Sequence, residues 1–284
     1  MEKLSKSQLT GLKKALRYIE DNLNSILNLD TIAAQSPWSR WQLQRLIVAS
    51  TGMTLAQYVR ELRLSNAARE LLTSKDRQLD IALRCGFESE ISFCRSFRQH
   101  YACSPGQYRK RSTLTGIRLP LTQTNLNPIR IDFKAAFKLQ GYKQKTKGIY
   151  SDQPDYQTVV PNIWQMAIKQ NPSWLQQSSP LYGAFDSESN QRKHEFTYWA
   201  GIETPLSEPI DNAHCLTLPD QTYAVITHRN NLSRFSKTVE WMLEDWLPDS
   251  GLEYASGTDL ESYPLQPGRI KQQSAEYWLP IKMP

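Results

Sequence analysis

The feature that most constrains the fold is a pattern that occurs twice within residues 1–112. A short amphipathic helix is followed by a tight turn and a capped second helix. In the first copy, Asn28-Leu29-Asp30 opens a helix holding Ile32, Ala33 and Ala34, and Pro37 stops it. Ser39 then caps a helix through Trp41, Leu43, Leu46 and Ile47, closed by Gly52. In the second copy, Leu79 to Arg84 forms the short helix and Cys85-Gly86-Phe87 the turn. Ser89 caps a helix running to about Tyr101. Between the copies, Leu55, Tyr58, Val59, Leu62, Leu64 and Ala67 mark a long helix from about Thr54 to Leu72. A helix over residues 7–22, capped by Ser7 and carrying Leu9, Leu12, Leu16 and Ile19, precedes them. A last short helix starts at Ser104-Pro105, where proline's missing N–H does no harm. The central helix spans roughly 28 Å at about 1.5 Å per residue. Successive major grooves on one face of duplex DNA lie about 34 Å apart. Two second helices so spaced fit adjacent grooves, although an all-α core without nucleic acid has the same periodicity.

Charge weighs between these readings. Residues 1–112 hold 18 Lys/Arg against 10 Asp/Glu, and the remainder holds 16 against 18. The whole excess of positive charge sits on the helical part, as expected for a polyanion-binding head on a near-neutral body. A basic solvated surface is the competing explanation. The segment MEKLSKSQLT lacks the apolar run of a secretory signal, and no apolar stretch approaches a membrane span. Cys85, Cys94, Cys103 and Cys215 form no Cys-x-x-Cys pair, which suits reduced thiols in a cytoplasmic protein. His100, His194, His214 and His228 have no metal-ligand spacing; the nearest approach is His214 beside Cys215. Neither a metal nor a cofactor is expected.

Residues 113–130, rich in Thr, Asn and Pro, show no period and read as a linker. Strand-like alternation then begins in Phe133 to Lys145, and Thr158 to Ile168 is helical. Leu181–Ser187 and His194–Ile202 read as strands. The series recurs as a strand-like His214–Thr227 around a Pro219-Asp220 turn, a helix over Leu232–Leu247, and strands over Glu253–Leu265 and Ala275–Ile281. The expectation is a multidomain protein. An all-α domain (residues 1–112) holds two helix-turn-helix units joined by a long helix. An α+β domain (residues 131–284) holds two strand-helix-strand-strand repeats.

The first 112 residues resemble the DNA-binding domain of the AraC/XylS regulators. The resemblance rests on LDTIAAQSPWSRWQLQRL, TGMTLAQYVRELRLSNAARELL and DIALRCGFESEISFCRSFRQHYACSPGQYR. The last joins the Gly-Phe turn, the Arg-x-Phe helix and the Pro-x-x-Tyr-Arg end of the family signature. SRWQLQR and the N-terminal placement resemble the Rob branch. The remainder resembles GyrI-like effector-binding domains through its repeated architecture, LESYPL and the closing EYWLPIK.

The resemblance implies that both second helices meet double-stranded DNA. Trp41, Gln44 and Arg45 would face the first groove, with Arg45 suited to guanine and Arg40 to phosphate. Glu90, Ile91, Ser92, Cys94 and Arg95 occupy the second helix. Each would otherwise be a solvated surface residue. Three departures stand out. Pro37 replaces the usual turn glycine, so that turn must close differently. Glu90 and Ile91 replace amides, and a carboxylate is repelled by phosphate unless cytosine N4 donates to it. Ile47-Val48 replaces a Phe-basic pair. The GyrI-like resemblance implies a cleft for hydrophobic or cationic molecules, with a carboxylate among aromatic rings. Glu261 and Glu276 match its acidic positions, and Tyr182, Trp199, Tyr223, Tyr263 and Trp278 supply rings, although rings on strands are usually core.

A ligand-responsive transcriptional regulator, an activator working with RNA polymerase, is therefore expected. The alternative is a DNA-binding protein whose second domain is a protein-interaction or sequestration module, with no small molecule. An enzyme is not expected: no nucleophile–base pair or nucleotide loop is present, although two glutamates could do acid–base work. No membrane partner is expected.

Overall fold

The computed structural model describes residues 6–124, 126–186, 195–204, 214–229, 235–265 and 274–282. Ser187, His194 and residues 232–234, which belong to expected elements, lie outside them. The chain divides into two compact units, Met1–Asp132 and Phe133–Pro284.

The first unit is helical. Its elements are α1 (Lys6–Asp21), α2 (Leu29–Ala33), α3 (Arg40–Thr51), α4 (Leu55–Thr73), α5 (Gln78–Arg84), α6 (Glu90–Tyr101) and α7 (Pro105–Arg111). Helix α1 is already under way at Lys6, so Ser7, expected before its first turn, lies inside it. The other caps act as their side chains dictate. Asn28 accepts the N–H of Thr31 at 2.8 Å. Ser39, Thr54 and Ser104 form reciprocal capping boxes with Gln42, Gln57 and Gln107. The two turns close differently. In the second, Gly86 takes φ 82°, and a Cβ there would lie 2.2 Å from the Leu23 carbonyl. Arg63 donates to that same carbonyl at 2.8 Å. In the first, Gln35 and Ser36 donate to the carbonyls of Ile32 and Ala33, and no residue from Ala34 to Ser39 has positive φ. Pro37 is compatible with such a turn, and it packs on Gly11.

Leu12, Leu16, Ile19, Ile32, Leu43, Ile47, Tyr58 and Leu62 form one core. Phe87, Phe93, Phe97, Tyr101 and Tyr108 stack into a second, with centroid separations of 4.4–5.4 Å.

The stretch expected as a linker is built into this unit. Leu121 is fully buried in the first core, and its N–H donates to the Tyr58 hydroxyl at 3.0 Å. That hydroxyl donates to Glu20 at 2.7 Å, and Glu20 also accepts from the Thr122 hydroxyl. Arg118 pairs with Glu61, and its N–H donates to Ser65 at 2.9 Å. β1 (Ile117–Arg118) pairs antiparallel with β2 (Ile129–Lys134). The segment lacks periodicity because polar clasps and a few apolar anchors hold it.

The second unit contains β3 (Phe137–Lys147), α8 (Tyr156–Gln170), β4 (Leu181–Asp186), β5 (Glu195–Thr204), β6 (His214–Leu218) and β7 (Gln221–Arg229). It continues with α9 (Phe235–Trp241), β8 (Glu253–Tyr254), β9 (Asp259–Tyr263) and β10 (Ser274–Lys282). A π turn over Met242–Trp246 leads from α9 into α10 (Leu247–Asp249). The strands run in the order β7-β10-β9-β4-β5-β3-β6, with β8 on β10, and every neighbouring pair is antiparallel. Only Pro219 and Asp220 join β6 to β7, which occupy opposite ends of this order. Three peptide steps reach at most about 11 Å, so the sheet must curl until its ends meet. Phe137, Leu139 and Leu218 from one end share a core with Tyr223 and Val225 from the other.

Candidate functional site

On the helical unit, α3 and α6 present matching positions. Each begins directly after a capping serine, Ser39 or Ser89. Leu43 and Ile47 are buried on α3, and Phe93 and Phe97 on α6. The second residue of each helix is a large exposed hydrophobe: Trp41 is 66% exposed and Ile91 83%. Neither side chain is buried in this fold, so neither contributes to its core. Gln44, Arg45, Glu90, Ser92 and Arg95 are exposed as well, and Cys94 is half-buried with its Sγ 3.7 Å from Gln78. The Arg45 guanidinium lies over the Trp41 ring, 4.8 Å from its centroid. Arg40 pairs with Asp30 at 3.2 Å, both well exposed, a contact worth little in water. The two faces differ in sign at their first position, Arg40 against Glu90.

The second unit holds a cavity of about 660 Å³ between the helices α8 and α9 and the sheet. Trp164 of α8, Phe235 and Leu243 around α9, Phe185 of β4 and Phe196 of β5 make it apolar, and Asp259 and Glu261 of β9 enter from the sheet. No Lys, Arg or His is among the described residues that line it. Glu261 is 5% exposed; its Oε2 accepts the hydroxyls of Tyr198 at 2.6 Å and Tyr263 at 2.7 Å. Trp164 in turn donates to the Tyr198 oxygen at 2.8 Å. Asp259 accepts from Tyr254 at 2.9 Å and from Tyr277. Burial pushes the Asp259 carboxyl up to about 6, against the pull of its two phenols. Burial also raises that of Glu261, its phenols lower it, and the neighbouring Asp259 adds to the rise. Burial next to these carboxylates holds Tyr198, Tyr263 and Tyr277 neutral, so they act as donors.

Of the seven residues expected at this cleft, Glu261 and Tyr263 line the cavity. The other five do not, and strand pairing explains why. Directly opposed residues point to the same face. Tyr182 opposes Ser262, Trp199 opposes Ala184, Glu276 opposes Ser262, Trp278 opposes Leu260, and Tyr223 opposes Pro280. All five thus share the Leu260 and Ser262 face, inside the curl of the sheet. Tyr182, Trp199 and Tyr223 are core there, with Trp278 packed against them. Glu276 accepts from Thr227 at 3.3 Å and from Trp278 at 3.2 Å. The cavity face carries Tyr277 opposite Glu261, and Phe185 opposite both Asp259 and Tyr198. Asp259, Tyr198, Tyr277, Tyr254 and Trp164 were missed by sequence reasoning. Only the Asp259-x-Glu261-x-Tyr263 alternation on one strand could have signalled them.

The chain thus has the parts of a two-part regulator: a helix-turn-helix domain followed by a small-molecule domain. Residues 32–111 match a helix-turn-helix domain family and residues 127–282 the GyrI-like small molecule binding domain family. Over 101 residues the chain is 42% identical to the transposon Tn10 TetD protein of Escherichia coli, spanning 36% of this chain and 73% of TetD. It is 39% identical over 106 residues to the HTH-type transcriptional activator AarP of Providencia stuartii, spanning 37% and 78%. A solved transcriptional regulator with an AraC-type DNA-binding domain, from Chromobacterium violaceum, is 32% identical. That match has a TM-score of 0.35 and covers 37% of this chain and 93% of that one. The chain belongs to the AraC family of DNA-binding transcriptional regulators and carries a GyrI-like domain. Among the described residues no helix is long and apolar enough to cross a membrane.

Proposed function

We propose that this protein is a transcription activator that reads duplex DNA with α3 and α6 and takes a lipophilic cation into the cavity of its second domain. The observation that carries the DNA reading is the matched exposure on the two helices. The same positions in each present a large hydrophobe, Trp41 or Ile91, and four residues later an arginine, Arg45 or Arg95. The helical repeat then acts as two helix-turn-helix units joined by α4. Arg45 reads a base with Trp41 beside it, Gln44 supports it, and Arg40 holds phosphate. Glu90, Ile91, Ser92, Cys94 and Arg95 form the weaker second reading face. Activation is the role printed in AarP's name, and RNA polymerase is the partner such a role requires. The second domain reads as a duplication, β3-α8-β4-β5 and β7-α9-β9-β10, meeting where β4 pairs with β9. Its cavity pairs an apolar aromatic wall with carboxylates and, among the described residues, no cation, which favours a cationic guest over an anion.

Selection of random duplex DNA by the purified protein at roughly 150 mM salt tests the first half. An asymmetric site with two short boxes about one helical turn apart is expected. No enrichment would overturn it. Titration calorimetry with tetraphenylphosphonium tests the second half. Saturable binding that is lost in Glu261→Gln is expected, whereas no binding would leave the interaction-module reading in its place.

A further inference from the structure

The cavity presents two carboxylates, and they are held separately. Asp259 and Glu261 are alternate residues of β9, so their backbones are set about 6.6 Å apart on one face. Each has its own collar of neutral donors: Tyr254 and Tyr277 for Asp259, Tyr198 and Tyr263 for Glu261. No donor is shared between the two acids among these contacts, so they do not form a dyad bridged by one proton. Both phenols on Glu261 donate to Oε2, which leaves Oε1 without a donor among the described residues. Tyr150, Tyr156, Gln157 and Ser236 add neutral polar groups to the lining, and no cationic side chain is among the described residues that line it. A guest with one positive charge compensates one acid and leaves the other uncompensated on the cavity wall. A guest with two positive charges compensates both.

From this geometry, and resting on the cation-binding reading above, we propose that the cavity is selective for dications whose charges are spaced to meet Asp259 and Glu261 together. The ligand class is an apolar or aromatic bis-cation, such as a bis-quaternary ammonium compound. Glu261 is the primary counter-charge, and Asp259 is the residue that tells two charges from one. The groups facing Asp259 are the phenols of Tyr254 and Tyr277, with Tyr223 and Glu261 near enough to interact. Burial beside the carboxylates keeps these phenols protonated. The discrimination therefore weakens as pH falls through about 6, where Asp259 takes up its proton.

The test compares hexamethonium with its one-headed counterpart hexyltrimethylammonium, and with tetraphenylphosphonium, on the full chain by calorimetry. Hexamethonium is expected to bind about tenfold more tightly than hexyltrimethylammonium at pH 7.5. Asp259→Asn is expected to reduce that ratio to about two, and Glu261→Gln to weaken binding of both ligands. In the unsubstituted protein the ratio is expected to shrink between pH 7.5 and 5.5, a readout independent of any folding defect in the variants. Equal binding of one- and two-headed ligands at pH 7.5, or a ratio unchanged by both Asp259→Asn and pH, would overturn dication selectivity. Binding of tetraphenylphosphonium alone would also overturn it, yet leave the cation cavity standing. Failure of all three ligands to bind would overturn both.

Discussion

Gly183 shows how much the acidic site depends on a missing atom. It stands directly opposite Glu261 across the β4–β9 pair. A Cβ there would lie 2.3 Å from the Tyr198 hydroxyl and 2.7 Å from the Glu261 Oε2. Gly183→Ala should therefore break the Tyr198–Glu261 hydrogen bond and destabilise the sheet domain by roughly 2 kcal/mol. Chemical denaturation checks this, and an unchanged midpoint would refute it. Asp259 makes a pH-dependent contribution. Its carboxyl titrates at about 6 in the folded protein against an ordinary 3.8, so the folded state binds that proton more tightly. Its contribution to stability is therefore fully present below about 4 and lost as pH rises through 6. Asp259→Asn should gain stability relative to the parent between pH 4.5 and 7, by on the order of 2 kcal/mol. A difference in melting temperature that does not move with pH would count against it. On the DNA side, Arg45→Ala should lose about 1–3 kcal/mol on the selected site and relax its sequence preference. Arg40→Ala should weaken all duplexes alike and flatten the salt dependence. Equal losses on specific and random DNA for both variants would remove Arg45 from base reading.

At the scale of elements, α3 and α6 are two versions of one device. Their caps, buried positions and exposed hydrophobes correspond, while Arg40 on one becomes Glu90 on the other. A carboxylate at a helix N-terminus suits the helix dipole and opposes phosphate. Glu90→Gln is accordingly expected to tighten binding to random duplex DNA several-fold, measured by fluorescence anisotropy. Unchanged affinity would place Glu90 away from DNA. The helices were legible in sequence because serine, threonine and asparagine caps declare themselves by their chemistry. The first turn was legible only as a departure. Proline excludes the left-handed residue that a glycine would allow, and the turn closes through Gln35 and Ser36. The strands were legible as elements, but their faces were not. Tyr198 and Trp199, or Glu276 and Tyr277, are adjacent in sequence and look to opposite sides of the sheet.

At the scale of the whole molecule, the boundary between the units lies at Asp132 and Phe133, well past the last helix. Residues 115–132 complete the helical unit. Removing them strips Leu121 from the core and takes from Tyr58, Glu20 and Ser65 their hydrogen bonds to Leu121, Thr122 and Arg118. A fragment ending at Asp132 should therefore melt well above one ending at Ser112, and equal melting temperatures by circular dichroism would show the segment to be dispensable. Little local announces such a strap, because the partners of Arg118, Leu121 and Thr122 lie 53 to 102 positions earlier in the chain. By itself the sequence determined that the first unit is helical, the Ser39, Ser89 and Ser104 caps, the basic excess on that unit and the acidic strand that holds Glu261. These follow from local chemistry and from periodicity. Only the tertiary structure decided which alternate residues of β9 and β10 face the cavity, that Asp259 joins Glu261 there while Glu276 does not, and that residues 115–132 belong to the helical unit. A period of two separates two sets of side chains without saying which set is inside; the curl of the sheet and the helices laid on one of its faces make that choice.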